Sequence, residues 1–242
     1  VSPFFYAFRE REMILEIFEE TGGNRLTMNY ITPGGVMQDL HPDFVRKVKE
    51  VLASLKKHEH EYGELLTGNI IFRKRLEGVG ILTPELAVSL GCTGPVARGS
   101  GISCDVRKQA PYDVYDQVEF KEILFSGGDC MNRYMVRMEE MKESISIIEQ
   151  LIDRIPEGSF RNKPKGMLKL PEGEYYHRVE TARGELGVYI VADGSAKPWR
   201  VKFRTPNFSN LTALKPLSIG SKVGDLVAIM STLDLIIPDI DR

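Results

Sequence analysis

Cysteine is scarce in this chain. Among 242 residues there are three, Cys92, Cys104 and Cys130, and no two form a CxxC pair. An odd, scattered set offers no disulfide framework and points to a reducing, cytosolic compartment. The sequons Asn207-Phe208-Ser209 and Asn210-Leu211-Thr212 are then chance matches. A basic excess is missing as well. The 32 Lys and Arg against 34 Asp and Glu leave a formal net charge of -2, which argues against nucleic acid as a partner. No apolar run approaches the ~20 residues needed to cross a bilayer. No charged-then-apolar leader opens the chain, so no secretion signal is expected. The opening SPFFYAFRERE reads instead as the middle of something, and a preceding segment is expected. Catalytic signatures are absent too: no Walker loop, no complete dinucleotide fingerprint around Gly99-Ser100-Gly101, no HExxH and no GxSxG.

What is present is a hydrophobic fraction of 42%, enough for a proper core. Residues 4–20 predict a helix with Ile14, Ile17 and Phe18 on one face. Arg9, Glu10, Arg11 and Glu12 are consecutive, so at ~100° per residue they sweep most of the way around it. Residues 21–36 predict a Gly/Pro loop or short hairpin. In 43–67, Phe44, Val48, Val51, Leu55, His58, Tyr62 and Leu65 recur at alternating steps of four and three, the seam of a helix packed on helices. His58 reads as a satisfied core or boundary histidine. Thr83, Pro84 and Gly91 cap and stop a short helix over 80–91. A glycine-rich irregular stretch follows to residue 116. The clearest helix spans 129–155, capped by Asp129, with a core stripe of Met138, Met141, Ile145, Ile148, Ile152 and Ile155.

Pro, Gly and Lys then mark a linker over 156–173, and three strands of an antiparallel meander follow, with a last helix near 221–233. The fold class is α+β: a helical body over 1–155, the linker over 156–173, and a small three-stranded sheet with a helix and tail over 174–242. Charges gather in glycine-rich or apolar settings. Arg98, Asp105, Arg107 and Lys108 lie in the irregular stretch, Asp129, Arg133 and Arg137 open the long helix, and Glu180, Arg183 and Glu185 bracket a strand turn. Such groups either lock loops as ion pairs or form a chain of titratable groups through a dry interior. Composition leaves both open.

Several long motifs are recognisable: FFYAFREREMILEIFE, NYITPGGV, GPVARGSGISCDVRKQAPYDVYD, GDCMNRYMVRMEEMKESISII, ETARGELGVYIVADGSAKPWRVKFRTPNF and the terminal D…DIDR. In this order, from Ser2 to Arg242, they closely resemble the D subunit of respiratory complex I, a relative of the nickel–iron hydrogenase large subunit. The resemblance implies a hydrogenase-large-subunit-like fold and a polypeptide that holds no cluster and no NADH itself. Its neighbour, an iron–sulfur small subunit, would carry the terminal 4Fe–4S cluster. Electrons would pass from there to a quinone in a pocket between the two, coupled to proton translocation by the membrane arm. The chain would sit peripherally on the cytoplasmic face of the membrane and be inactive alone.

Hydrogenases hold their metals with two CxxC pairs, the second in a DPCxxC tail. Here Ile236 and Asp239 stand at those cysteine positions, so the thiolates a nickel–iron centre needs are missing and no metal is expected. The resemblance makes Asp234, Ile236 and Arg242 the quinone-site residues. Thr27 lies at or near the position of a histidine that many family members place by the cluster. Two other readings remain: a non-catalytic scaffold that docks the small subunit, and the same polypeptide in a ferredoxin- or deazaflavin-linked relative.

Overall fold

The structure, a computed structural model, describes residues 2–162, 166 and 168–241. They fall into two compact units, one built from Val1–Asn69 and Ile145–Leu168, the other from Ile70–Ser144 and Lys169–Arg242. These units cut the chain differently from the body, linker and sheet drawn on the sequence. About half of the chain is helical and two small antiparallel sheets are present, which is compatible with the α+β class. Among the described residues, no helix is long and apolar enough to cross a membrane.

In the first unit, α1 (Ser2–Gly22) is rich in straight-chain helix formers and stops at a glycine pair, where Gly23 takes a positive φ. The expected hairpin follows as β1 (Ile31–Thr32) and β2 (Gly35–Val36). Next, α2 (Phe44–Tyr62) packs against α1 and runs on into a π turn over 63–67. Leu15 and Ile17 of α1 and Val51 and Leu52 of α2 are buried. Of the four consecutive charges only Glu10 is buried. Its carboxylate accepts from the Tyr62 hydroxyl and from Arg9 Nε at 2.5 Å, and lies 3.0 Å from His58 Nδ1. The seam histidine thus has a carboxylate partner.

The second unit begins with α3 (Ile70–Leu76) and α4 (Pro84–Ser89), the latter capped by Thr83, which accepts from Leu86 N. The irregular stretch holds two four-residue helices, α5 (Pro95–Arg98) and α6 (Val106–Gln109). The long helix α7 (Cys130–Leu151) follows. Strands β3 (Gly173–Thr181), β4 (Gly184–Ala192) and β5 (Arg200–Arg204) pair as the expected meander in the order β3-β4-β5. The chain closes with α8 (Pro206–Thr212), α9 (Leu214–Ser218), α10 (Val223–Leu233) and α11 (Ile237–Asp241). Leu82, Val96, Cys130, Ala213, Leu217, Ile229 and Leu233 form the centre of its core.

The core stripe expected along α7 needs correction. Ile145 and Ile152 are buried, together with the unpredicted Ile147, but Met141, Ile148 and Ile155 are exposed. The helix gives Cys130–Ser144 to one unit and its last turns to the other, so no single core covers one face along its whole length.

Candidate functional site

The charged residues singled out in the sequence lie in the second unit and separate into distinct ion-pair systems. Arg98, at the end of α5, is 1% exposed. Its Nε donates to Glu140 at 2.7 Å and its Nη1 to Glu180 at 2.8 Å. Glu180 also accepts from Val106 N at 3.1 Å. Burial pushes the carboxyls of Glu140 and Glu180 up, against the pull of the Arg98 charge between them. Asp105 caps α6 through Arg107 N, and its carboxylate takes the Arg107 guanidinium in two bonds of 2.9 and 2.7 Å. Burial works to raise the Asp105 carboxyl, but the Arg107 hydrogen bonds and charge carry it below the usual range. Arg107 in turn lies over the Phe120 ring. Glu185 belongs to another group, paired with Arg178 at 2.9 Å and near Arg204.

Asp129 starts α7, accepting from Asn132 N at 2.8 Å with one oxygen and from Gly78 N at 2.8 Å with the other. Burial opposes its ionisation, yet these bonds hold its carboxyl below the usual range. Arg133, one helical turn on, is fully buried. It donates to the carbonyls of Gly80 and Gly128, to Thr232 Oγ1 and to Cys130 Sγ. Burial lowers its pKa. Each of these groups bonds to a neighbouring loop, helix end or strand.

The tail is built differently. Helix α10 ends at Asp234, whose backbone adopts φ 54° and ψ 53°. This left-handed conformation costs an L residue about 1 kcal/mol, and Asp tolerates it better than most. It turns the chain sharply, so that α11 lies against α8, with Asp239 accepting from Asn207 N at 3.2 Å. Two arginines converge on Asp234 from elsewhere in the chain. Arg183, in the β3–β4 turn, donates from Nη2 to Oδ1 at 3.3 Å, with its Nε 3.2 Å from Oδ2. Arg137, on α7, brings Nε to 3.9 Å from Oδ2 and donates from Nη1 to the Arg133 carbonyl at 2.9 Å. Burial lowers the pKa of Arg137, with the Asp234 charge acting against it.

The turn that carries Arg183 is held by close backbone approach. A Cβ at Gly94 would stand 2.4 Å from Arg183 O, and one at Gly184 would stand 2.5 Å from Thr93 Oγ1. Both glycines have positive φ.

Asp234 is therefore half-buried between two cations, and Ile236 beside it is exposed. Arg242 lies outside the described residues. Thr27 accepts from the Asn24 side chain in the first unit. Sequence reasoning named Arg137 and Arg183 as charges but gave neither a role at the tail. Two surface concavities, one lined by Leu211, Leu214 and Leu226 among others and one by Pro42, Val45 and Ala53 among others, include none of these tail residues.

Comparison with known proteins gives the family. The profile described as "Respiratory-chain NADH dehydrogenase, 49 Kd subunit" matches residues 1–169 and 163–242. The chain belongs to that family, which holds the D-type polypeptides of complex I. It is 52% identical over 242 residues to the C/D subunit of the NADH-quinone oxidoreductase of Bacteroides thetaiotaomicron, covering 100% of this chain and 46% of that protein. It is 44% identical over 243 residues to the D subunit of the NADH-quinone oxidoreductase of Desulfotalea psychrophila, covering 100% and 65%. To the D subunit of the Geobacillus kaustophilus enzyme it is 43% identical over 241 residues, covering 99% and 66%. The chain thus spans about half to two thirds of the length of these relatives.

Proposed function

We propose that the chain is the quinone-site part of an NADH:quinone oxidoreductase. Its tail, with Asp234, Ile236 and Arg242, lines the pocket in which quinone is reduced. The 4Fe–4S cluster that delivers electrons belongs to a neighbouring iron–sulfur small subunit, and this chain holds no cluster or nucleotide. Quinone reduction is coupled to proton translocation by the membrane arm. The chain is peripheral, on the cytoplasmic face of the membrane, and inactive outside the complex. Its fold is hydrogenase-like, with the former metal site converted to hold an organic substrate.

The observation that carries this reading is the Asp234 carboxylate, half-buried between Arg137 and Arg183 and next to the exposed Ile236. An apolar side chain beside a few directed polar groups is the usual composition of a small-molecule site. Ile236 and Asp239 take the places of thiolates, which removes the ligands that soft metals require. A carboxylate and two guanidiniums can orient a ring oxygen and influence where its protons come from.

Replacing Asp234 with Asn in the assembled complex tests the reading. Asn also tolerates the left-handed backbone, so the change removes charge with little strain. Quinone reductase activity is expected to fall about tenfold or more, in line with the loss of one charge-assisted hydrogen bond. Unchanged turnover together with unchanged inhibitor affinity would remove Asp234 from the site.

A further inference from the structure

Strand β5 (Arg200–Arg204) has a neighbour on one side only. It pairs with β4, and among the described residues no backbone hydrogen bond leaves its other side. Its first four residues are exposed and Arg204 is half-buried. Strand β4, by contrast, has no exposed residue. An open edge is a row of N–H and C=O groups free to pair with one more strand.

The two faces of β5 differ, because side chains alternate along a strand. On one face the register sets Val201 beside Ile190 and Phe203 beside Val188. Val201 is 42% exposed, Phe203 46%, and Trp199, just before the strand, 80%. The other face carries Arg200, Lys202 and Arg204. Arg204 is held by β4, donating to the Glu185 carbonyl at 2.7 Å. Arg200 and Lys202 are exposed and make no ion pair among the described residues. The carboxylates on that face are engaged elsewhere. Glu174 accepts from the Tyr189 hydroxyl at 2.7 Å, and Glu185 from the Tyr176 hydroxyl at 3.1 Å and from Arg178 at 2.9 Å. Two unpaired cations thus line the edge, in a chain whose overall formal charge is -2.

Charges on an edge strand have a simpler use: they deter unwanted pairing. That device goes with a short polar edge. Here the same segment leaves Trp199, Val201 and Phe203 in water, and aromatic residues together with arginine are what interfaces select. We propose that β5 is a docking edge for an extended segment of another subunit of the complex, added as a fourth strand whose residues alternate between apolar and acidic. Main-chain hydrogen bonds along the edge supply affinity, and the alternation supplies specificity. Acidic side chains of the incoming strand meet Arg200 and Lys202 on one face. Its apolar side chains extend the row of Val201 and Phe203 on the other. The inference is independent of where quinone binds and needs only that the chain works within an assembly.

The test uses the native, assembled complex and two readouts. The first is amide hydrogen exchange resolved to single residues. Strand β4 protects alternate amides of β5, and an added strand protects the others. All amides over 200–204 are therefore expected to exchange at least about 100-fold more slowly than an unstructured peptide. The second is a carbodiimide, which joins an amine to a carboxylate in direct contact with it. Lys202 is expected to link to an Asp or Glu of another subunit. The double variant Arg200→Glu, Lys202→Glu sets like charges against the incoming strand, and its outward amides should exchange about tenfold faster or more. Both side chains are exposed, so the fold of this chain is expected to survive. Changing the linked carboxylate of the other subunit to Lys should restore protection. Alternate amides that exchange freely in the intact complex overturn the proposal and leave the cations as edge protection alone. Links from Lys202 confined to its own chain, or no link at all, overturn it too. So does protection that the double variant leaves unchanged.

Discussion

Arg98 is a cation between two carboxylates, with almost no surface of its own. Removing its charge strands Glu140 and Glu180 in a dry site. Arg98→Met is expected to cost about 3–5 kcal/mol, the usual penalty for breaking a buried pair from one side. Adding Glu180→Gln should recover part of it, measured by denaturant unfolding of the full-length protein. Equal stability of single variant and parent would show that the pairing is not structural. Asp129 gives a pH-dependent counterpart. Its folded carboxyl titrates below the usual carboxylate range. Its charge therefore contributes stability at neutral pH, and that contribution is lost as pH falls through the folded value, below an unfolded pKa of about 3.9. Thermal denaturation of parent and Asp129→Asn should differ at pH 7 and converge towards pH 3; a gap that widened in acid would contradict this. The caps at Asp129 and Thr83 were legible in the sequence because capping is local: each bonds the residue three positions on. The convergence of Arg137 and Arg183 on Asp234 was not, because it depends on three elements distant in sequence.

Among the elements, the long helices and the meander could be read in advance, since each carries enough turns or alternations to show a period. Of the helices of four to seven residues only α4 could, from its Thr83-Pro84 start and its Gly91 stop. α5 and α6 are single turns too short to display an amphipathic face, and isolated turns of that length have little stability of their own. Packing creates them. The β3–β4 turn is the clearest case of packing beside the proposed site, because Gly94 and Gly184 let two backbones meet where Arg183 reaches Asp234. Gly184→Ala places a Cβ 2.5 Å from Thr93 Oγ1 at a φ of 130°. It should lower stability by about 2 kcal/mol or more, and should also lower quinone reduction by displacing Arg183. Stability and turnover are both measurable on the same assembled preparation. Full activity with Ala at 184 would mean that the turn does not position the site.

On the scale of the whole molecule, the sequence suggested a helical body joined to a sheet, whereas the structure groups residues into two compact units that the long helix α7 serves in turn. Helical periodicity reports that one face is apolar; it does not report which element covers each part of it, and so Met141, Ile148 and Ile155 were expected in a core that does not enclose them. Everything assigned to function lies in the second unit, at the end of the chain, where a helix C-terminus, a strand turn and α7 meet. The most direct measurement is photoaffinity labelling of the assembled complex with an azidoquinone, followed by peptide mapping of this chain. The account predicts label on the tail peptide around Ile236 or on the turn around Arg183, displaced by excess unlabelled quinone. Displaceable label confined to other segments, with none at the tail or that turn, would contradict it.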